Sequence, residues 1–239
     1  MESTPRSDGR ARLHWTLRGA RGVAGVPALV LMSAMVGFAG LAREMELTLG
    51  ETVFMTFGVW ALPSMIVLVG GIGSGLGLVP VALAVALASV RFTPMTMALV
   101  PEMRAERTRS TTLYVLAHFI AITAWVHAQR NLPGVPREHR TAFFGGFAVT
   151  LTSVSTCIVA WVHQASATLP AVAGAMLVFL TPIYFLTALW SSARLASDRA
   201  ALLLGLVLGP VLAALVPSLG IVAAGLVGGT IAYFGWRPK

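Results

Sequence analysis

The residue best placed to do chemistry in this sequence is an arginine. Arg91 stands in Ser89-Val90-Arg91-Phe92-Thr93-Pro94, roughly midway along the apolar stretch Leu76–Pro101. A guanidinium at membrane depth costs several kcal/mol, so such a group faces the interior of a bundle and binds an anionic partner. Its planar fork suits a carboxylate. The other reading is that Arg91 snorkels to an interface or holds carbonyls freed near Pro94. His118 is the second candidate: one of the few titratable groups at membrane depth, in another apolar stretch it can join a proton relay or bond between helices. His127 and His163 fall near the ends of apolar stretches and read as interfacial. Hydroxyls recur at Thr150, Thr152, Ser153, Ser155 and Thr156, where helical spacing puts several on one face. They line a polar path or bond across helices.

Other chemistries find no support. The apolar stretches hold no carboxylate, so no Ser–His–Asp grouping can form. No Cys/His cluster has metal-ligand spacing, and Cys157 is the single cysteine. Gly71-Ile72-Gly73-Ser74-Gly75-Leu76-Gly77 lacks the spacing and the lysine of a phosphate loop and reads as a flexible turn. No cofactor is expected.

The elements that must position these residues are membrane helices. Of 239 residues, 56% are hydrophobic and 11% charged, and the mean hydropathy is +0.81. A soluble domain carries about 25% charged residues. Eight candidate spans follow: Ala20–Ala42, Thr52–Gly71, Leu76–Pro101, Thr111–Gln129, Thr141–Val162, Leu169–Trp190, Ala200–Val216 and Leu219–Phe234. The fold class is all-α, a polytopic helical membrane bundle. Residues 1–19 form a cytoplasmic tail and residues 20–236 a single transmembrane domain. The first apolar run is too long for a cleaved signal peptide.

The net charge of +8 follows the positive-inside rule, which sets aside a nucleic-acid partner. With alternating spans, Arg6, Arg10, Arg12, Arg18, Arg21, Arg130, Arg137, Arg140, Arg194, Arg199, Arg237 and Lys239 fall inside. Arg43, Arg104, Arg107 and Arg109 fall outside. The basic loop Glu102–Ser110 fits this arrangement worst, and a re-entrant third segment would bring it inside.

Pro27, Pro63, Pro80, Pro94, Pro182 and Pro210 lie within apolar segments, where proline breaks a helix and frees carbonyls. The second and sixth spans are expected to be discontinuous near Pro63 and Pro182, and the third to be broken as well. Broken helices of this kind line substrate sites in secondary transporters. An echo between Leu78-Val79-Pro80-Val81-Ala82-Leu83 and Leu208-Gly209-Pro210-Val211-Leu212-Ala213 hints at duplication.

From about Gly25 to Trp190 the chain resembles the large subunit of AzlC/YgaZ-type branched-chain amino acid exporters. The likeness rests on Val36-Gly37-Phe38-Ala39-Gly40-Leu41-Ala42-Arg43-Glu44, Leu47-Thr48-Leu49-Gly50-Glu51, Met55-Thr56, Ser89-Val90-Arg91…Leu99-Val100-Pro101, and Leu177-Val178-Phe179-Leu180-Thr181-Pro182-Ile183-Tyr184-Phe185. Val178 replaces a usual Asp and Ser89 a usual Asn, Met65 stands where Gln is common, and His118 lies near a Thr-Asp-Glu place.

The resemblance implies a multi-pass permease of the cell inner membrane, not an enzyme. It would export branched-chain or similar small amino acids with a small AzlD-like membrane subunit. The substrate-binding residues would be Arg91, Ser89, Ser64, Pro63, His118 and Pro182. The alternative is a membrane assembly subunit that has lost this site. Both termini are expected in the cytoplasm, so a reporter active only in the periplasm, fused after Lys239, should stay silent.

Overall fold

A computed structural model describes residues 5–106, 108–166, 196–216 and 219–236, together with Met176, Phe179, Ile183, Leu186, Trp190, Ala193 and Leu195. The sixth candidate span and Pro182 lie largely outside the described residues. The described helices are α1 (Pro5–Arg21), α2 (Val26–Glu44), α3 (Leu49–Gly58), α4 (Leu62–Gly73), α5 (Leu78–Ser89), α6 (Phe92–Met103), α7 (Ser110–His118), α8 (Ile122–Asn131), α9 (Arg140–Ser166), α10 (Ala196–Leu215) and α11 (Gly220–Gly235). With no strand among these residues, the all-α membrane bundle stands. Three helices, α2, α9 and α10, are long and apolar enough to cross a membrane singly, and the bent pair α5–α6 makes a fourth.

Prolines start these helices more often than they break them. Pro27 and Pro63 sit in the first two positions of α2 and α4. Pro80 and Pro94 fall in the first turns of α5 and α6. The first four N–H groups of a helix have no intrahelical acceptor, so a proline there forfeits no bond. Thr48 opens α3 with a reciprocal cap: its hydroxyl accepts from the Glu51 amide, and the Glu51 carboxylate accepts from the Thr48 amide.

The central element is α9, 27 residues and so about 40 Å long. Onto it pack α1, α2, α3 and α7. Phe144, Phe147 and Leu151 of α9 form the core with Met35 and Phe38 of α2, Met65 of α4, and Leu99 and Met103 of α6.

Two contacts show that α3–α4 does not cross. The His163 ring donates from Nε2 to the Leu47 carbonyl at 2.9 Å, which places the α2–α3 connection at the far end of α9. Gly73, at the end of α4, lies against Met45 of that same connection: a Cβ there would come within 2.5 Å of Sδ. Laid end to end, α3 and α4 would separate Thr48 from Gly73 by more than about 30 Å. They form a hairpin that enters from one face and returns to it.

The segment α7–α8 does the same from the other face. Arg140, at the start of α9, donates to the Glu102 carboxylate at 2.8 Å, to its carbonyl at 2.9 Å, and to the Val135 carbonyl at 3.2 Å. The end of α6, the chain beyond α8 and the start of α9 thus meet at the α1 face. From the turn at Ala105–Thr108, α7 rises along α9 until Leu116 reaches Gly145. In return, α8 descends with His127 stacked on Phe147 at a centroid distance of 3.8 Å.

The second and fourth candidate spans are therefore re-entrant hairpins, not crossings. Between them, α5–α6 carries the chain from the far face to the α1 face with a 44° bend. The loop Glu102–Ser110 moves to the α1 face, reversing its expected side. Arg104 and Arg109 join the arginines of α1 there, and Arg43 stays at the opposite face. Among the described residues, α10 and α11 pack chiefly on each other.

Residues 5–21, expected only as a tail, form a helix held against α9. Gly19 lies over the Phe143 carbonyl and Gly146 over Thr16, so neither site has room for a Cβ. Gly146→Ala should cost about 1–3 kcal/mol and, by loosening α1 from α9, speed tryptic cleavage at the α1 arginines. Gly9→Ala, where nothing lies within 4 Å, should leave both the melting temperature and the cleavage rate as in the parent.

Candidate functional site

The tips of the two hairpins meet near the middle of α9. The first tip is Val59–Trp60–Ala61, the second Phe119–Ile120–Ala121. In both, an alanine with extended backbone precedes the returning helix: Ala61 at φ −145° and Ala121 at φ −109°. Both alanine carbonyls accept from the amide four residues on, Met65 and Trp125, at 2.8 Å. His118 joins the tips, donating from Nε2 to the Phe57 carbonyl at 2.9 Å. That bond gives a partner to a carbonyl at the end of α3, where the helix supplies none.

Four expected site residues, Pro63, Ser64, Ser89 and Arg91, lie on one side of this junction. Ser64 lies in the first turn of α4 and is fully buried. Its hydroxyl is 3.0 Å from that of Ser89 at the end of α5. Ser89 donates to the Val85 carbonyl at 2.8 Å, so its single proton is committed and Ser64 is the donor in the pair. Pro63 precedes Ser64 and withholds one unpaired amide from the start of a helix that begins at depth. Arg91 follows two residues after Ser89, at the bend between α5 and α6. Its guanidinium lies 5.1 Å from the Phe92 ring centre, and its Nε is buried without an acceptor. Arg91 has no ion pair among the described residues, where the single salt bridge is Arg140–Glu102.

His118 reaches the junction from the other hairpin and belongs to the tip bond, not to the serine pair. Pro182 lies outside the described residues.

Further residues join the site that sequence reasoning missed. Trp60 takes a positive φ of 43°, uncommon for a bulky side chain and a mark of strain at functional sites. It is buried, and its indole N–H has no acceptor. The indole N–H of Trp125, in the first turn of α8, is likewise buried without one. Nothing in the alternation of polar and apolar residues marks either tryptophan.

Two helices, α4 and α8, begin at the junction, each start carrying about half a positive charge with free N–H groups, and two, α3 and α7, end there with the opposite half charge and free carbonyls. The unpaired side-chain groups, Arg91 Nε and the indoles of Trp60 and Trp125, are all donors. Every described Asp and Glu lies near one face or the other, in a first turn, a last turn or a connection. Unpaired side-chain donors of this kind suit a group that brings acceptors.

Two other expectations change. His163, read as interfacial, is 1% exposed, because the α2–α3 connection folds over it. The hydroxyl cluster of α9 divides: Thr152 and Ser155 are buried, while Ser153 faces outward.

The sequence profile described as AzlC protein matches residues 27–178, more than half of the chain. The chain belongs to the AzlC family. AzlC proteins are associated with amino-acid transport, so this is a membrane protein of transporter type. The match covers both hairpins, Arg91 and α9, and ends before α10. A search of curated proteins gives no significant match, and a search of solved structures gives none either.

The serine pair can be weighed directly. In a double-mutant cycle of Ser64→Ala and Ser89→Ala, thermal unfolding in detergent should give a coupling of about 1 kcal/mol. Additive losses would mean that the two hydroxyls do not act together.

Proposed function

We propose that the chain is a secondary transporter exporting branched-chain or similar small amino acids, with the substrate carboxylate held at the junction of the two hairpins. The observation that carries this reading is the excess of unpaired donors where α4 and α8 begin. Arg91 supplies the charge and a bidentate fork. The start of α4, with Ser64, supplies a hydroxyl and backbone N–H groups, as half-helix starts do for anionic substrates. Apolar surroundings strengthen each of these contacts.

A hairpin entering from each face suggests how access alternates. Withdrawal of α3–α4 opens the junction to one face, and withdrawal of α7–α8 opens it to the other. The His118–Phe57 bond ties the tips when both are home. In orientation, the arginine-rich α1 face is cytoplasmic by the positive-inside rule, in a cell inner membrane. A small AzlD-like membrane subunit completes the assembly, and the exposed apolar surfaces of α5 and α10 are open to it or to lipid.

Counterflow of labelled leucine, isoleucine and valine in liposomes, with and without the small subunit, tests this. Arg91→Ala should lower exchange about 10- to 100-fold, the worth of a charged hydrogen bond. Arg91→Lys should lower it less, since charge remains and the fork is lost. Parental exchange in Arg91→Ala would remove the carboxylate role. No exchange by the parent with its subunit would favour the assembly-subunit reading.

A further inference from the structure

The seam between α3 and α9 holds buried polar groups that the carboxylate site does not use. On α3 these are Thr52 and Thr56, on α9 Thr152, Ser155 and His163, all at most 1% exposed. Within each helix their spacing of three, four or eight residues puts them on one stripe. The threonines donate to their own helices: Thr52 to the Thr48 carbonyl, Thr56 to Thr52 and Thr152 to Ala148. Their oxygens still have acceptor capacity facing the seam. The Ser155 hydroxyl has no partner.

His163 closes the stripe at the far face. Because its Nε2 donates to the Leu47 carbonyl, the neutral ring presents Nδ1 as an acceptor, and that atom is buried with no donor. An orphaned acceptor at this depth is costly unless it has a use.

We propose that His163 is a proton-binding site, with Nδ1 taking a proton from the far face and the hydroxyls of the α3–α9 seam leading from it toward the hairpin junction. The step is a proton binding alone: the Nδ1 lone pair accepts H⁺ delivered by water, Nε2 keeps its bond to Leu47, and the same proton leaves when the ring returns to neutral. The stripe runs along α3, the arm that must move for the junction to open to this face. Protonation of His163 and that movement are therefore linked.

Other titratable groups stand around this site without bonding to it. Arg43, Glu44, Glu46 and Glu51 lie on or beside the α2–α3 connection, exposed. Tyr114 and His118 belong to α7, where His118 bonds Phe57. His127, His139, the α1 arginines and the Glu102–Arg140 pair lie toward the opposite face.

The coupling to transport rests on the transport reading above; the protonation does not. Two measurements separate them. In the full chain, with histidines isotope-labelled and His163 assigned by comparison with His163→Gln, the Nδ1 resonance should shift to the protonated form as the pH is lowered over the range in which the protein stays folded. An Nδ1 that stays unprotonated throughout overturns the proposal. In liposomes, His163→Gln keeps a donor for Leu47 but cannot bind a proton. It should retain counterflow and lose at least tenfold in pH-gradient-driven transport. Full gradient-driven transport by that variant overturns the coupling. A parent with no counterflow at all ends the transport reading and leaves the resonance to decide the proton site.

Discussion

The structure depends on one constraint: a backbone that stops being helical inside a membrane must still find partners for its polar groups. Two hairpins here stop at mid-depth, and each of their ends is answered locally. The Phe57 carbonyl receives His118. Pro63 removes an amide that would have none. Ala61 and Ala121 turn the chain so that their carbonyls accept the first bonds of α4 and α8. The side-chain groups left unpaired there, Arg91 Nε and the indoles of Trp60 and Trp125, are N–H donors, and the proposed anion site rests on them. The long, unbroken α9 makes the arrangement possible, because it supplies a continuous apolar wall against which the broken segments lie.

The two hairpins are related by a shift of 60 residues, from Ala61 to Ala121, and they enter from opposite faces. Before each stands a crossing element, α2 or α5–α6, and these also run in opposite senses. This is the plan of an inverted repeat, which in secondary transporters puts the substrate at the interface of the halves. It differs from the duplication suggested by the similarity between Leu78–Leu83 and Leu208–Ala213, which pairs the chain with its C-terminal hairpin. The two tips share an alanine and little else in sequence, so the likeness lies in backbone conformation.

The bend at Arg91 and the discontinuity at Pro63 were legible because charge and proline have local causes. The break at Phe119–Ala121 was not: no glycine or proline stands between His118 and Ile122, and the tip is tied by a bond from another hairpin. Hydropathy also counts apolar residues without giving their direction. The 10 residues of α3 and 12 of α4 therefore read as one crossing, although Gly73 returns to Met45. The basic loop Glu102–Ser110 did carry the signal that a crossing had been miscounted. In α1 the charge concealed a helix whose contact with α9 depends on two glycines. His163 looked interfacial by its place along α9, and only the fold of the α2–α3 connection buries it.

The central claim is that α3–α4 and α7–α8 enter from opposite faces and return. Site-directed labelling tests it most directly, because Glu46, Ser74, Ser110 and Asn131 are all exposed connections or helix ends. Each is replaced singly by cysteine in a Cys157→Ser background and treated with an impermeant maleimide in sealed vesicles of known orientation. The account predicts that positions 46 and 74 label from one side and positions 110 and 131 from the other. Labelling of 46 with 110, and of 74 with 131, would show that both segments cross the membrane and would contradict it.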